Sequence, residues 1–349
     1  MKPSFPLISL TIVLALLLAA AGCTGSSSLP SVYILYGSDI GDLSYTDTAH
    51  QGLLAAHDTL SFTAREFTPR DCDTLPGLLA GTEKPGLVIT VGYQYANLTR
   101  QLAQDHPDIR FLAVDQAGIG SDNVRAYEFV SYGDSYLAGV LAASATRTGR
   151  VGIILGTQSD LLDTFLRGYT DGARAVNASV VVDHAYVRQH STDGFTDPGE
   201  AGRIAERMYG TGTDVIFTCA GYSSMGVFDA AGNATGRYII GTDTDQSPLG
   251  PDVVLASAIK RVDRVVSTGI AEHLNGTFTG GDQVAGLEDG ATGIVVNPRF
   301  AVYNETVSAW EVRAQDAEEA YLRRSVPESG FSLNQSVRPG DDTPASMTP

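Results

Sequence analysis

Residues 86–115 read GLVITVGYQYANLTRQLAQDHPDIRFLAVD. Two continuous apolar runs, Gly86–Gly92 and Arg110–Asp115, flank a stretch of helical spacing, Tyr95–His106, that Pro107 stops. A strand that is apolar at nearly every position is covered on both faces, the habit of parallel sheets whose crossovers are helices. The stretch is therefore a strand–helix–strand unit, and the same alternation runs on in both directions. Upstream, Ser31–Tyr36 (SVYILY) is a short strand, and 47–60 has helical spacing with Ala49, Leu53, Leu54 and Ala56 as its apolar positions. Downstream, strands are expected at 151–156 (VGIILG), 179–187, 213–220 (TDVIFTCA), 238–241 and 253–259. Helices are expected at 135–146, 164–176, 198–209, 226–231 and 262–274. This is an α/β chain of repeated βαβ units. At 349 residues it is too long for one compact core and is expected to form two lobes. The strands end on Gly or Asp, at Gly37, Gly92, Asp115, Gly156, Gly221 and Asp243. Ligands of open α/β sheets bind outside the carboxyl ends of the strands, so function is expected there.

The composition is that of a globular chain, 43% hydrophobic and 18% charged. Forty acidic residues against 23 basic ones give a formal charge of −17. That excludes the basic face a nucleic-acid binder needs, and a polybasic patch for anionic lipid. With three cysteines the chain is not a disulfide-stapled scaffold. GxxxxGK[ST], HExxH, CxxC and GxGxxG are all missing. In Gly221–Gly226 (GYSSMG), Met225 stands where a nucleophile elbow needs Gly. Asp243-Thr-Asp245 begins like a calcium loop but lacks the later ligands. No catalytic residue, cofactor or metal is expected.

The N-terminus carries one positive residue, Lys2, then an almost wholly apolar run over 5–21, then the small residues Ala20-Ala21-Gly22 before Cys23. This reads as an export signal over 1–22 with a lipobox-like cleavage site, a lipidated Cys23 and a Ser-rich tether over 23–30. An uncleaved signal anchor is the alternative. Either way the chain is tethered to the outer face of the cytoplasmic membrane. Six N-x-[ST] sequons, at Asn97, Asn177, Asn233, Asn275, Asn304 and Asn334, are candidate glycosylation sites. Together with the acidity and the lipobox-like Cys they suit an archaeal cell surface. Residues 326–349, rich in Ser, Pro and Gly, are expected to form a flexible tail.

Seven blocks resemble, in order, the basic membrane protein family of substrate-binding lipoproteins, the purine-nucleoside receptors of ABC importers. They are GDLSYTDTAHQGL (41–53), KPGLVITVGYQYANLTRQLAQDHPDIRFLAVD (84–115), NVRAYEFVSYGDSYLAGVLAA (123–143), RVGIILG (150–156), FLRGYTDGARA (165–175), GTDVIFTCAGYSSMGVFDAA (212–231) and IIGTDTDQSPLGPDVVLASAIKRVD (240–263). The resemblance implies a type I periplasmic-binding-protein fold, with two Rossmann-like lobes joined by three crossings and a ligand in the cleft. Lobe one is expected over 31–131 plus 262–282, and lobe two over 132–261 plus 283–325. A nucleoside requires ring faces for its base and acceptors for its ribose hydroxyls.

By resemblance, Tyr45 stands at the base-stacking position, Phe195 is the aromatic of the opposite lobe, and Asp115 is the base-contacting acid. Asp243 resembles the ribose-binding acid and Lys260 the ligand-contacting Lys. Thr46, Tyr93, Gly221 and Tyr222 complete the expected ligand-binding set. The sequence departs from the family at Tyr36, where an acid is usual, at Thr46 in place of Asn, and at the bulky Tyr222 in a glycine-rich turn. These departures change the polar complement of the base site. The expected partners are a nucleoside and the permease and ATPase subunits of an importer. A sensor of the same fold, or an exported nucleoside hydrolase, are the alternatives.

Overall fold

The structure, a computed structural model, describes residues 29–325. The signal over 1–22, Cys23 with tether residues 24–28, and the tail over 326–349 with Asn334 lie outside the described residues.

Among the described residues, twelve strands form two six-stranded sheets. The first holds β1 (Ser31–Leu35), β2 (Thr63–Phe67), β3 (Leu87–Val91), β4 (Arg110–Val114), β5 (Val124–Phe129) and β11 (Gly281–Ala285) in the order β11-β5-β4-β3-β1-β2. All of its pairs are parallel. The second holds β6 (Arg150–Leu155), β7 (Val181–Tyr186), β8 (Val215–Cys219), β9 (Tyr238–Asp243), β10 (Val254–Lys260) and β12 (Thr292–Val296) in the order β12-β10-β9-β8-β6-β7. There only β12 runs antiparallel.

Each sheet is covered on both faces, and strand alternation decides which side chain goes where. In β1, Val32 and Ile34 join a core with helices α1 (Tyr45–Thr59) and α8 (Val262–Leu274). Tyr33 and Leu35 point the other way, toward α2 (Leu75–Leu79) and α3 (Ala96–Asp105). In the second sheet, Val151, Ile153 and Leu155 pack beneath α4 (Gly133–Ala145) and α5 (Asp160–Val176). Ile154 packs beneath α6 (Pro198–Gly210) and α7 (Ser224–Gly232). The last helix, α9 (Asn304–Ser325), lies along α4 through Trp310, Ala314 and Tyr321.

The chain passes between the sheets three times: after β5, after β10, and between β11 and β12. The third passage differs from the expectation. Residues 283–285, assigned above to lobe two, are the end of β11 and pair with Tyr127, Glu128 and Phe129 of β5. The crossing therefore follows Ala285. Four strands, β2, β5, β11 and β12, fall outside the expected set. Two of them lie at the outer edges of the first sheet. β2 (TAREF) is exposed at four of its five positions, and β11 (GDQVA) is polar, so neither has the apolar run of a central strand. In β5, Arg125 turns inward, stacks over Phe278 and pairs with Glu272, so a buried position carries a charge.

Candidate functional site

The carboxyl ends of β4, β9 and β10 bring together three of the residues that sequence reading singled out, Asp115, Asp243 and Lys260. Lys260 ends β10 and is 3% exposed; its Nζ lies 2.9 Å from Asp115 Oδ2. Asp115 follows β4 in the first sheet, so this ion pair joins the two halves of the molecule. Asp115 Oδ1 also accepts a hydrogen bond from Phe129 N at 3.3 Å. Three rings surround the ammonium, with centroids 5.3 Å (Tyr45), 5.5 Å (Phe129) and 5.4 Å (Phe165) from Nζ. At such distances a cation is attracted to the ring faces, the more so when desolvated. Burial by itself would lower the Lys260 pKa; Asp115 and then Asp243 outweigh it and hold the ammonium above its ordinary value.

Asp243 ends β9 and is buried. Its Oδ2 accepts a hydrogen bond from Ser44 Oγ at 2.5 Å, a second link between the halves. Burial pushes its carboxyl up to about 6, against the opposing pull of Lys260 and Ser44. Asp134, in the first turn of α4, is wholly buried, and burial followed by the Glu318 carboxylate holds it well above the ordinary range. Asp115 and Asp243 both have left-handed backbones, with φ of 58° and 71°. Asp tolerates this conformation better than most residues, and such backbones concentrate at functional sites.

Tyr45 opens α1, and the loop before it fixes its place. Asp42 accepts hydrogen bonds from the backbone N–H groups of Ser44 (2.9 Å), Thr46 (2.8 Å) and Asp47 (3.1 Å), satisfying donors that a helix N-terminus leaves unpaired. The Tyr45 hydroxyl is buried near the Asp115 carboxylate but makes no hydrogen bond of good geometry among the described residues. Burial, then the Asp115 carboxylate, raises its pKa well above the usual value. The Thr46 hydroxyl lies 2.6 Å from Ser38 Oγ and is engaged within the loop.

In the second half, Phe195 closes a short 3₁₀ turn, Thr192–Phe195, and its ring lies against Gly156, where a Cβ would collide with it. Gly221, at φ 53°, passes close to the Phe195 carbonyl. Tyr93 is half-buried; burial raises its pKa, opposed by a hydrogen bond with Ser159 of the second half. Tyr222 is 44% exposed and enters none of the hydrogen bonds or ring contacts that join the cluster. Tyr36, at the position where an acid is usual, points away, with its hydroxyl 2.8 Å from Glu66 and 3.2 Å from His50. The sequence reading missed Ser44, Phe129, Asp134, Phe165 and Gln246. Ser44 lies inside the quoted SYTD block and Gln246 inside GTDTDQ, so the blocks held a signal for both. Among the described residues no group of His, Cys, Asp and Glu could hold a metal ion.

The chain is 29% identical over 293 residues to basic membrane protein A of Borreliella burgdorferi, covering 80% of this chain and 84% of that one. It is 35% identical over 211 residues to the ABC transporter nucleoside-binding protein BmpA of Lactococcus lactis subsp. cremoris, covering 56% of this chain and 59% of that one. An ABC transporter solute-binding protein from Aeropyrum pernix K1 superposes with a TM-score of 0.71 at 23% identity, covering 88% of this chain and 94% of that one. A glucose-galactose binding protein, GanP, from Geobacillus stearothermophilus superposes with a TM-score of 0.56 at 16% identity, covering 77% and 98%. These two similarities establish the type I periplasmic-binding fold. Residues 30–316 match the family described as Bmp, ABC transporter substrate-binding protein PnrA-like, and the chain belongs to that family of ABC transporter substrate-binding proteins.

Proposed function

We propose that this protein is the nucleoside receptor of an ABC importer, not an enzyme, and that it delivers its ligand to a membrane permease driven by an ATPase. The observation that carries the reading is the pairing, at one buried spot, of a carboxylate and a ring. Asp243 offers acceptor oxygens that suit adjacent ribose hydroxyls, and the neighbouring Lys260 is a donor beside Tyr45, whose ring suits stacking on a base. The Tyr45 hydroxyl, without a hydrogen bond of good geometry, adds a polar group that a ligand would satisfy. The Lactococcus relative named as nucleoside-binding supports the same ligand class. In this reading lobe one is 31–131 plus 262–285, lobe two is 132–261 plus 286–325, and ligand capture is closure of the two. Cys23, when lipidated, holds the receptor at the outer face of the cytoplasmic membrane, where a permease is reached.

Titration calorimetry with a nucleoside and its matching free base tests the reading. Asp243→Ala is expected to weaken nucleoside binding by roughly 2–4 kcal/mol, because it removes a charged acceptor and leaves its partners unpaired in a desolvated cleft. The free base is expected to bind weakly and to be indifferent to that change. A free base that binds as tightly as its nucleoside would rule out the ribose role.

A further inference from the structure

Besides the Lys260–Asp115 and Ser44–Asp243 contacts, the two halves meet at a further hydrogen bond whose two residues are not among the expected ligand groups. Gln246 Nε2 donates to the carbonyl of Leu43 at 2.9 Å. We propose that Gln246 is a closure latch, a side chain fixed within lobe two that grips the backbone of the lobe-one loop carrying Tyr45.

Gln246 is 1% exposed and held from its own side. The Thr242 N–H donates to its Oε1 at 3.0 Å, and its own N–H donates to Ser257 Oγ at 3.0 Å. A backbone N–H can pair only with the amide oxygen, so chemistry fixes the orientation and turns the NH₂ toward Leu43. Gly241 leaves the space, since a Cβ there would press on both Gln246 Oε1 and Ser257 Oγ.

The receiving side is equally rigid. Leu43 has φ 53°, a left-handed backbone that a Leu rarely adopts. Asp47 holds it there, accepting from Gly41 N at 2.6 Å and from Leu43 N at 3.0 Å. Donor and acceptor are thus both ordered before they meet, so joining them costs little further conformational freedom. Tyr45 lies two residues beyond Leu43, so fixing the Leu43 carbonyl also fixes the approach of the ring to Lys260.

The inference rests on reading the chain as a receptor that closes on its ligand, but not on which solute it takes. Gln246→Glu keeps the acceptor for Thr242 N–H and replaces the donor with an oxygen that faces the Leu43 carbonyl. Asp47→Ala releases the loop from the opposite side and leaves lobe two untouched, so it carries the test where the Glu variant folds poorly. Small-angle X-ray scattering at pH 8, without nucleoside, is expected to show both variants more open than the native chain. Adenosine affinity is expected to fall at least fivefold, the worth of about one hydrogen bond. Hydrogen exchange at Thr242 is expected to stay slow in the Glu variant. Either variant scattering and binding like the native chain would overturn the latch. If native protein binds neither adenosine, guanosine nor inosine while both variants still open the empty chain, the nucleoside reading fails and the latch stands.

Discussion

Tyr45 shows how one side chain can be read for two tasks at once. Its ring lies in the cation-bearing corner of the cleft, and its hydroxyl is buried without a hydrogen bond of good geometry. Truncation should therefore be costly where ring removal should matter most: Tyr45→Ala is expected to lose about 1–3 kcal/mol of nucleoside affinity, the scale of base–aromatic stacking. Tyr45→Phe should lose less affinity. Without ligand it should be at least as stable as the native chain, because it removes a buried, poorly paired hydroxyl. Calorimetry and thermal unfolding of both variants check the two halves separately, and equal affinity losses would place the binding in the hydroxyl. Local pattern points to Asp115 and Asp243 as strand ends, whereas Tyr45 and Lys260 are singled out only by the resemblance of their blocks to the family. Neither signal could show that Lys260 pairs with Asp115 across 145 residues of chain, which only the fold decides.

At the level of elements, α4 and α5 pack so closely that backbone meets backbone. A Cβ on Gly139 would strike the Tyr169 carbonyl, and one on Gly172 would strike the Tyr136 carbonyl. No flexible side chain can yield at either place. Gly172→Ala is expected to destabilise the protein by about 1–3 kcal/mol in urea unfolding, the range of overpacking in a filled core. The small-residue character of 135–146 is visible in the sequence, but its partner is not. Helix α9 makes the complementary case. Its sequence is polar over most of its length and gave no helical stripe to read, yet its Glu318 is 5% exposed. Glu318 accepts from Gly133 N at 2.7 Å and Leu287 N at 2.8 Å, so one carboxylate clasps the first and third crossings. Glu318→Gln can satisfy only one of those donors with its remaining oxygen. The loss should be about 1–3 kcal/mol, the cost of a buried unsatisfied N–H, again read by urea unfolding. A stability unchanged by this substitution would mean that water reaches the crossing.

For the whole molecule, buried carboxyls set opposite pH responses for stability and for binding. Burial is the first cause of the raised pKa in both Glu318, pushed from 4.5 up to about 7, and Asp243, pushed from 3.8 up to about 6. Asp42, Asp134 and Glu128 are shifted in the same direction, also chiefly by burial. A carboxyl with a raised folded pKa binds its proton more tightly in the native chain than in the unfolded one. Its stabilising effect is full below the unfolded value and is lost as pH rises through the folded value. The ligand-free protein should therefore unfold at a higher temperature at pH 5 than at pH 8. The formal charge of −17 pushes the same way, since protonation reduces self-repulsion. Nucleoside affinity should move oppositely. The ionised Asp243 is the better ribose acceptor, so affinity should fall as pH drops through about 6. Thermal unfolding across pH 5–8, with calorimetry at the same points, separates the two trends. Asp243→Asn cannot titrate there and should flatten the affinity profile at a lower overall affinity, while keeping the part of the stability trend that Glu318 supplies. An affinity that stays constant from pH 5 to 7.5 in the native protein would mean that Asp243 does not meet the ligand as a carboxylate.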